Sequence, residues 1–182
     1  MAGSTTVIVL LRGINVGGKN KLPMAALRAA AEAAGYADAT TYLQSGNLIV
    51  RDVAASKIGR VAGTIHDAIE ASTGLDVPII TRTLDEWRAI IDANPFPDAA
   101  ADGTTLHLVV LDGKPSETVR KFDSSKFEPE ALRVVGSEVY LSLPNGIGRS
   151  KLAAAVMRLD NAKSGTARNW KTVLALAEMA SE

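Results

Sequence analysis

The 182-residue chain has no cysteine, and that absence removes several classes of protein at once. Without it there is no disulfide framework, no thiolate nucleophile and no cysteine-ligated metal. Histidine is nearly as scarce. Only His66 and His107 occur, and two isolated imidazoles make no convincing transition-metal site. Aromatics make up 4% of residues, so base recognition on a strand-borne aromatic platform has only Tyr42 and Tyr140 to draw on. No apolar run approaches the roughly twenty residues of a membrane span. The opening MAGSTTVIVLL also lacks a basic segment ahead of its short apolar stretch. No G-x-S-x-G, H-E-x-x-H or calcium-loop pattern occurs. The expectation is a cytoplasmic protein with no membrane partner, no metal and no cofactor.

Net charge is absent too, which argues against a generally basic nucleic-acid binder. The distribution of charge is less even. Residues 12–28 hold Arg12, Lys19, Lys21 and Arg28 with no acid, and residues 144–171 hold six bases against Asp160 alone. Segregation of this kind creates a local positive field on a neutral protein when the bases share a face.

What is present centres on Leu10 to Lys21, LLRGINVGGKNK. It follows STTVIVLL, whose β-branched and apolar residues predict a buried strand. Gly13, Gly17, Gly18, Asn15 and Asn20 tolerate positive φ, so the loop can curl its amides inward. Pro23 stands at a first helical position, and MAALRAAAEAA continues as a strong helix former. Curled amides, a nearby helix N-terminus and three bases suit an anion such as phosphate. Gly13 to Lys19 also has the G-x-x-x-x-G-K spacing of a nucleotide-triphosphate loop. Asn20 replaces the required Ser or Thr, however, and the helix starts several residues late, so that reading is set aside.

Along the rest of the chain, Ala39–Leu43 and Leu48–Arg51 predict two strands around the hairpin tip Gln44-Ser45-Gly46-Asn47. Apolar residues at 58, 61, 62, 65 and 69 predict a helix over 57–72, ended by Gly74. A strand over 77–82 completes βαββαβ, the split βαβ of a ferredoxin-like unit. Residues 84–93 predict a short helix, and NPFPDAAADG a Pro/Gly-rich connector. The order then partly recurs: a strand over 105–111, a helix from a Ser116 cap to 122, strands over 132–135 and 138–143, and a helix over 150–159. A last helix over 168–179, with Thr166 as its cap, closes the chain. The fold class expected is α+β, two ferredoxin-like halves with the second less complete and a C-terminal helix. The domains expected are 1–93, a connector at 94–103, and 104–182.

The residues expected to bind a ligand are Arg12, Asn15, Gly17, Gly18, Lys19, Gln44, Ser45, Asn47, Lys151, Arg168 and Asn169. In that reading Arg12, Lys19, Lys151 and Arg168 neutralise a phosphate-bearing small molecule, nucleotide or nucleic-acid backbone. Asn15, Gln44, Asn47 and Asn169 supply hydrogen bonds. Arg149, Lys151 and Arg168 near helix N-termini oppose the usual dipole preference, as happens where an anion supplies the missing negative charge. Two alternatives stay open. One is an enzyme acting on a phosphorylated small molecule, its bases stabilising developing charge. The other is an interaction protein whose polar motifs only hold two subdomains together.

Taken in order, LLRGINVGGKNKLPMAALR, TYLQSGNLIV, GRSKL and TARNWKTVLALAE resemble the bacterial family known as domain of unknown function 1697. The likeness runs from Val7 to Glu178. It implies an α+β architecture with ferredoxin-like halves and brings no activity, substrate or catalytic residue. The signature positions it marks are Arg12, Gly13, Asn15, Gly17, Gly18, Lys19, Gln44, Ser45, Gly46, Asn47, Lys151, Arg168, Asn169 and Trp170.

Overall fold

The computed structural model describes residues 3–159 and 164–182. Lys163 and Asp160 of the C-terminal basic segment lie outside the described residues. The first half runs β1 (Ser4–Leu11), α1 (Met24–Ala33), β2 (Thr40–Tyr42), β3 (Asn47–Ala54), α2 (Val61–Thr73) and β4 (Ile79–Thr83). Its strands form an antiparallel sheet in the order β2-β3-β1-β4, the ferredoxin-like arrangement that the alternating pattern predicts.

The alternation of each strand decides which face packs on the helices. Val7, Val9 and Leu11 of β1 join Leu48, Val50 and Val53 of β3 in one core cluster. Leu27, Ala30 and Ala31 of α1 complete it with Val61, Ile65 and Ile69 of α2, residues spaced one helical turn apart. The start of the helix expected over 57–72 is a 3₁₀ turn, Ala55–Arg60, before α2 proper begins. Gly74 closes α2 with φ 72° and a backbone bond to Glu70, and Gly35 follows α1 with φ 93°.

The second half runs α3 (Leu84–Asp92), α4 (Pro97–Ala101), β5 (Leu106–Val110), α5 (Glu117–Arg120), β6 (Ala131–Val135), β7 (Glu138–Ser142), α6 (Lys151–Val156), β8 (Thr166–Asn169) and α7 (Trp170–Ser181). Its sheet order, β6-β7-β5-β8, repeats that of the first half. The helices are the most abbreviated, α5 with 4 residues and α6 with 6 against 10 and 13 in α1 and α2, and β5 and β7 have 5 residues each against 8 in β1 and β3.

Strand β8 corrects the sequence reading, which ran the last helix from Arg168 and capped it with Thr166. Thr166 to Asn169 instead pair with β5, His107 opposite Asn169 and Val110 opposite Thr166. The helix cap is Asn169, whose Oδ1 accepts from Thr172 N at 2.9 Å. Pairing with a central strand overrides the indifferent local propensity of TARN. Ser116 caps α5 as expected, accepting from Val119 N at 3.3 Å. Ser150 caps α6, accepting from Ala153 N at 2.8 Å.

Two compact units divide the chain: residues up to Arg88 together with Leu176–Glu182, and Ala89–Ala175. Within the first, Arg51 Nη2 donates to Met179 O at 2.8 Å and Arg88 Nη2 to Ser181 Oγ at 3.1 Å, which fixes the returning C-terminus. Within the second, the hydroxyl of buried Tyr140 donates to Ile90 O at 2.7 Å. Among the described residues, no helix is long and apolar enough to cross a membrane.

Candidate functional site

Three loops meet at one end of the first sheet. Leu11 N donates to Gly46 O at 2.8 Å, stitching the end of β1 to the β2–β3 turn. Arg12 N donates to Pro78 O at 3.0 Å, bringing in the segment before β4. Between Arg12 and α1 the backbone turns left-handed five times, at Gly13, Asn15, Gly17, Gly18 and Asn20. The glycines and asparagines flagged by composition are therefore the residues with positive φ, and the reason is steric.

The loop is a miniature hairpin. Val16 and Lys19 bridge, Lys19 N donates to Val16 O at 3.1 Å, and Gly17 and Gly18 (φ 59° and 75°) sit between them as in a type I′ turn. Below it, Asn15 N donates to Asn20 O at 3.1 Å and Asn20 Nδ2 to Gly13 O at 3.1 Å. The Asn15 side chain holds the base. Its Oδ1 accepts from Leu22 N at 2.9 Å, while Nδ2 donates to Leu22 O at 2.9 Å and Gln44 O at 2.8 Å. Ile14 and Leu22 are buried beneath.

Asn47 does similar work in the neighbouring turn. It is fully buried, and its Nδ2 donates to Tyr42 O at 2.8 Å and Ser45 Oγ at 3.0 Å. The amides of Asn15 and Asn47 thus organise the loops. Gly17, Gly18, Lys19, Lys21, Gln44 and Ser45 are exposed, and Arg12 is half-buried.

Eight of the eleven expected site residues therefore gather at this end: Arg12, Asn15, Gly17, Gly18, Lys19, Gln44, Ser45 and Asn47. Lys151, Arg168 and Asn169 belong to the second unit. Lys151 is exposed on the first turn of α6. The negative charge that its position calls for comes from within the chain, since Glu130 Oε2 accepts from Leu152 N at 3.0 Å. Arg168 is a strand residue rather than a helix-terminal one. It is 7% exposed, and its Nη1 donates to Thr166 Oγ1 at 2.7 Å and Ala167 O at 2.8 Å. Burial draws its guanidinium down to about 10. Arg168 and Asn169 thus have hydrogen-bond partners within their own unit.

Two features escaped the sequence reading. Leu43, which looks like the end of an apolar strand, has φ 57° and is 54% exposed, and Val16 at the neighbouring tip is 67% exposed. The other is a recess of about 280 Å³ toward the far end of β3. Asp38 and Asp52 oppose Arg51 and Lys57 there, and that mixture does not select an anion.

The histidines titrate in opposite senses. His66 lies 2.9 Å from Asp76 and 3.2 Å from Asp67, and those hydrogen bonds raise it above 6.5. His107 is buried in β5, Nδ1 has no partner among the described residues, and burial lowers it. Stability from His66 is complete below 6.5 and is lost as pH rises through its higher folded value. The depressed value of His107 does the reverse: stability is lost as pH falls from 6.5 towards the folded value. On acidification from about pH 7 to about pH 5, His107→Leu is expected to lose less stability than the parent, and His66→Gln more. Melting curves at both pH values check this, and parallel behaviour of both variants would refute it. Among the described residues, no group of three or more His, Asp or Glu is placed to hold a metal ion.

Tandem ferredoxin-like halves, with a stitched glycine loop at one end of the first, define an α+β class of protein. The chain belongs to the family described as protein of unknown function DUF1697, whose model matches residues 4–140. No curated protein matches it. A similar solved structure is that of a conserved bacterial protein from Streptococcus pneumoniae. It is 20% identical over 97% of this chain and 98% of that one, with a TM-score of 0.77, and at that identity the likeness speaks for the fold.

Proposed function

We propose that the stitched loops at the end of the first sheet bind a phosphate-bearing ligand, whether a nucleotide, a phosphorylated small molecule or a nucleic-acid backbone. One observation carries this reading. A loop held rigid by Asn15 presents exposed Lys19 and Lys21, exposed Gly17 and Gly18 and half-buried Arg12, with no acid anywhere in residues 12–28. Pre-organised donors lose little entropy on binding, and unopposed cations raise the local concentration of anions. The same absence of acid and histidine supports binding over carboxylate- or imidazole-based acid–base chemistry at this loop. A cytoplasmic setting in a bacterium agrees with a cysteine-free chain.

A second reading is favoured by burial. Asn47 and Arg168 have intramolecular partners, as residues that only maintain the fold would. Melting temperatures against nucleotides, sugar phosphates and short oligonucleotides, in low and moderate salt, separate the two. A selective, salt-sensitive rise that disappears in Lys19→Ala/Lys21→Ala is expected. No rise with any phosphate-bearing compound would leave the fold-maintenance reading.

A further inference from the structure

The exposed loop tips limit what kind of phosphate ligand fits, an argument that rests on the binding reading above. A single phosphate or small metabolite is normally held in a concave site where donors converge and most of the ligand is buried. Here Lys19 and Lys21 are exposed on the loop while Arg12 lies at its root. Exposed cations on a protruding loop suit charges that are spread along a chain and remain open to solvent.

The apolar tips add a second requirement. Val16 is 67% and Leu43 54% exposed, and their loops are joined by the bond from Asn15 Nδ2 to Gln44 O. Neither side chain belongs to the core cluster of this unit. Leu43 also holds a left-handed conformation, φ 57°, which glycine or asparagine adopts more easily. Strain at an exposed apolar residue is a pointer to function, since packing gains nothing from it. Half-buried Tyr42 precedes it at the end of edge strand β2. The two joined loops therefore carry two exposed aliphatic residues together with the exposed Lys19 and Lys21, and a half-buried tyrosine leads into one of them.

We infer that these joined loops bind single-stranded nucleic acid, phosphates on Arg12, Lys19 and Lys21 and unstacked bases on Tyr42, Leu43 and Val16. A duplex keeps its base faces covered and offers nothing to the apolar tips. A single strand exposes both faces and backbone, and stacking tolerates any sequence because every base has a π-face. Gln44 and Ser45, exposed between the tips, have hydrogen-bonding groups for base edges.

The test is fluorescence anisotropy of the full chain with labelled single-stranded DNA and RNA of about twelve nucleotides. The matching duplex runs beside them, at about 50 and about 200 mM salt. Single strands are expected to bind more tightly than duplex. Tyr42→Ala should weaken single-strand binding about tenfold. Lys19→Ala/Lys21→Ala should reduce the log–log salt slope by about 1.4. Leu43→Asn relieves the backbone, so it should melt no lower than the parent while weakening single-strand binding and leaving duplex binding unchanged. That combination excludes unfolding as the cause. Equal affinity for duplex would overturn the inference and leave backbone binding standing, whereas stabilisation by mononucleotides without oligonucleotide binding would overturn it and leave a small phosphate-bearing ligand. Displacement by polyglutamate as readily as by unlabelled oligonucleotide would overturn it in favour of an acidic peptide. Binding of no phosphate compound would overturn both readings.

Discussion

Gly46→Ala is expected to destabilise the protein by about 3 kcal/mol, more than any other single added methyl in these loops. Gly46 has φ 81°, and a Cβ there would lie 2.7 Å from Leu11 Cβ and 2.7 Å from Ile14 Cδ1. Leu11 is fully buried and Ile14 nearly so, which limits how far either can retreat. Gly46 O also accepts from Leu11 N, so moving the turn away breaks the bond that joins it to β1. The backbone penalty is about 1–2 kcal/mol and overpacking about 1–3 kcal/mol. Gly17→Ala and Gly18→Ala separate the two effects. Both positions are left-handed (φ 59° and 75°), yet a Cβ at either meets nothing within 4 Å, so only the backbone penalty applies. Urea unfolding with an unchanged m-value measures all three. Equal losses at the three glycines would show that close packing of Gly46 contributes nothing.

Legibility in the sequence follows from how local each determinant is. The first half is readable because its strands alternate, its helices repeat apolar residues at one-turn spacing, and Gly35 and Gly74 stop them. Strand β8 is not readable, because four residues of middling propensity become a strand only through β5, about sixty positions away. Glu130 is hidden for the same reason: its place over the first turn of α6 depends on a contact 22 residues away in sequence. The glycine loop was visible through residues that accept positive φ. The roles of Asn15 and Asn47 were not, since an amide that would bind a ligand and one that ties down its own backbone have the same composition. Leu43 misleads in the opposite direction. It continues an apolar alternation into a turn whose left-handed geometry carries the side chain outward.

Asn15→Ala is the change that should couple stability to binding, with an expected loss of about 4 kcal/mol. Three hydrogen bonds disappear, at 2.8–2.9 Å, to Leu22 N, Leu22 O and Gln44 O. Each is worth roughly 1 kcal/mol net. Alanine must also adopt φ 54°, which asparagine tolerates and a plain Cβ residue does not. Asn15→Gly should recover the backbone part, about 1 kcal/mol, because glycine meets the left-handed geometry without strain. Both variants keep Arg12, Lys19 and Lys21, so simple charge attraction predicts unchanged affinity for phosphate-bearing compounds. A pre-organised loop predicts weaker binding in both, together with faster hydrogen exchange at Leu22 N. The Asn15 side chain also bridges the two tips through Gln44 O, so losing it should weaken single-strand binding more than binding of inorganic phosphate. Unchanged exchange and affinity in Asn15→Gly would mean that the left-handed residues alone shape the loop. The cations would then act as a diffuse field rather than as an ordered site.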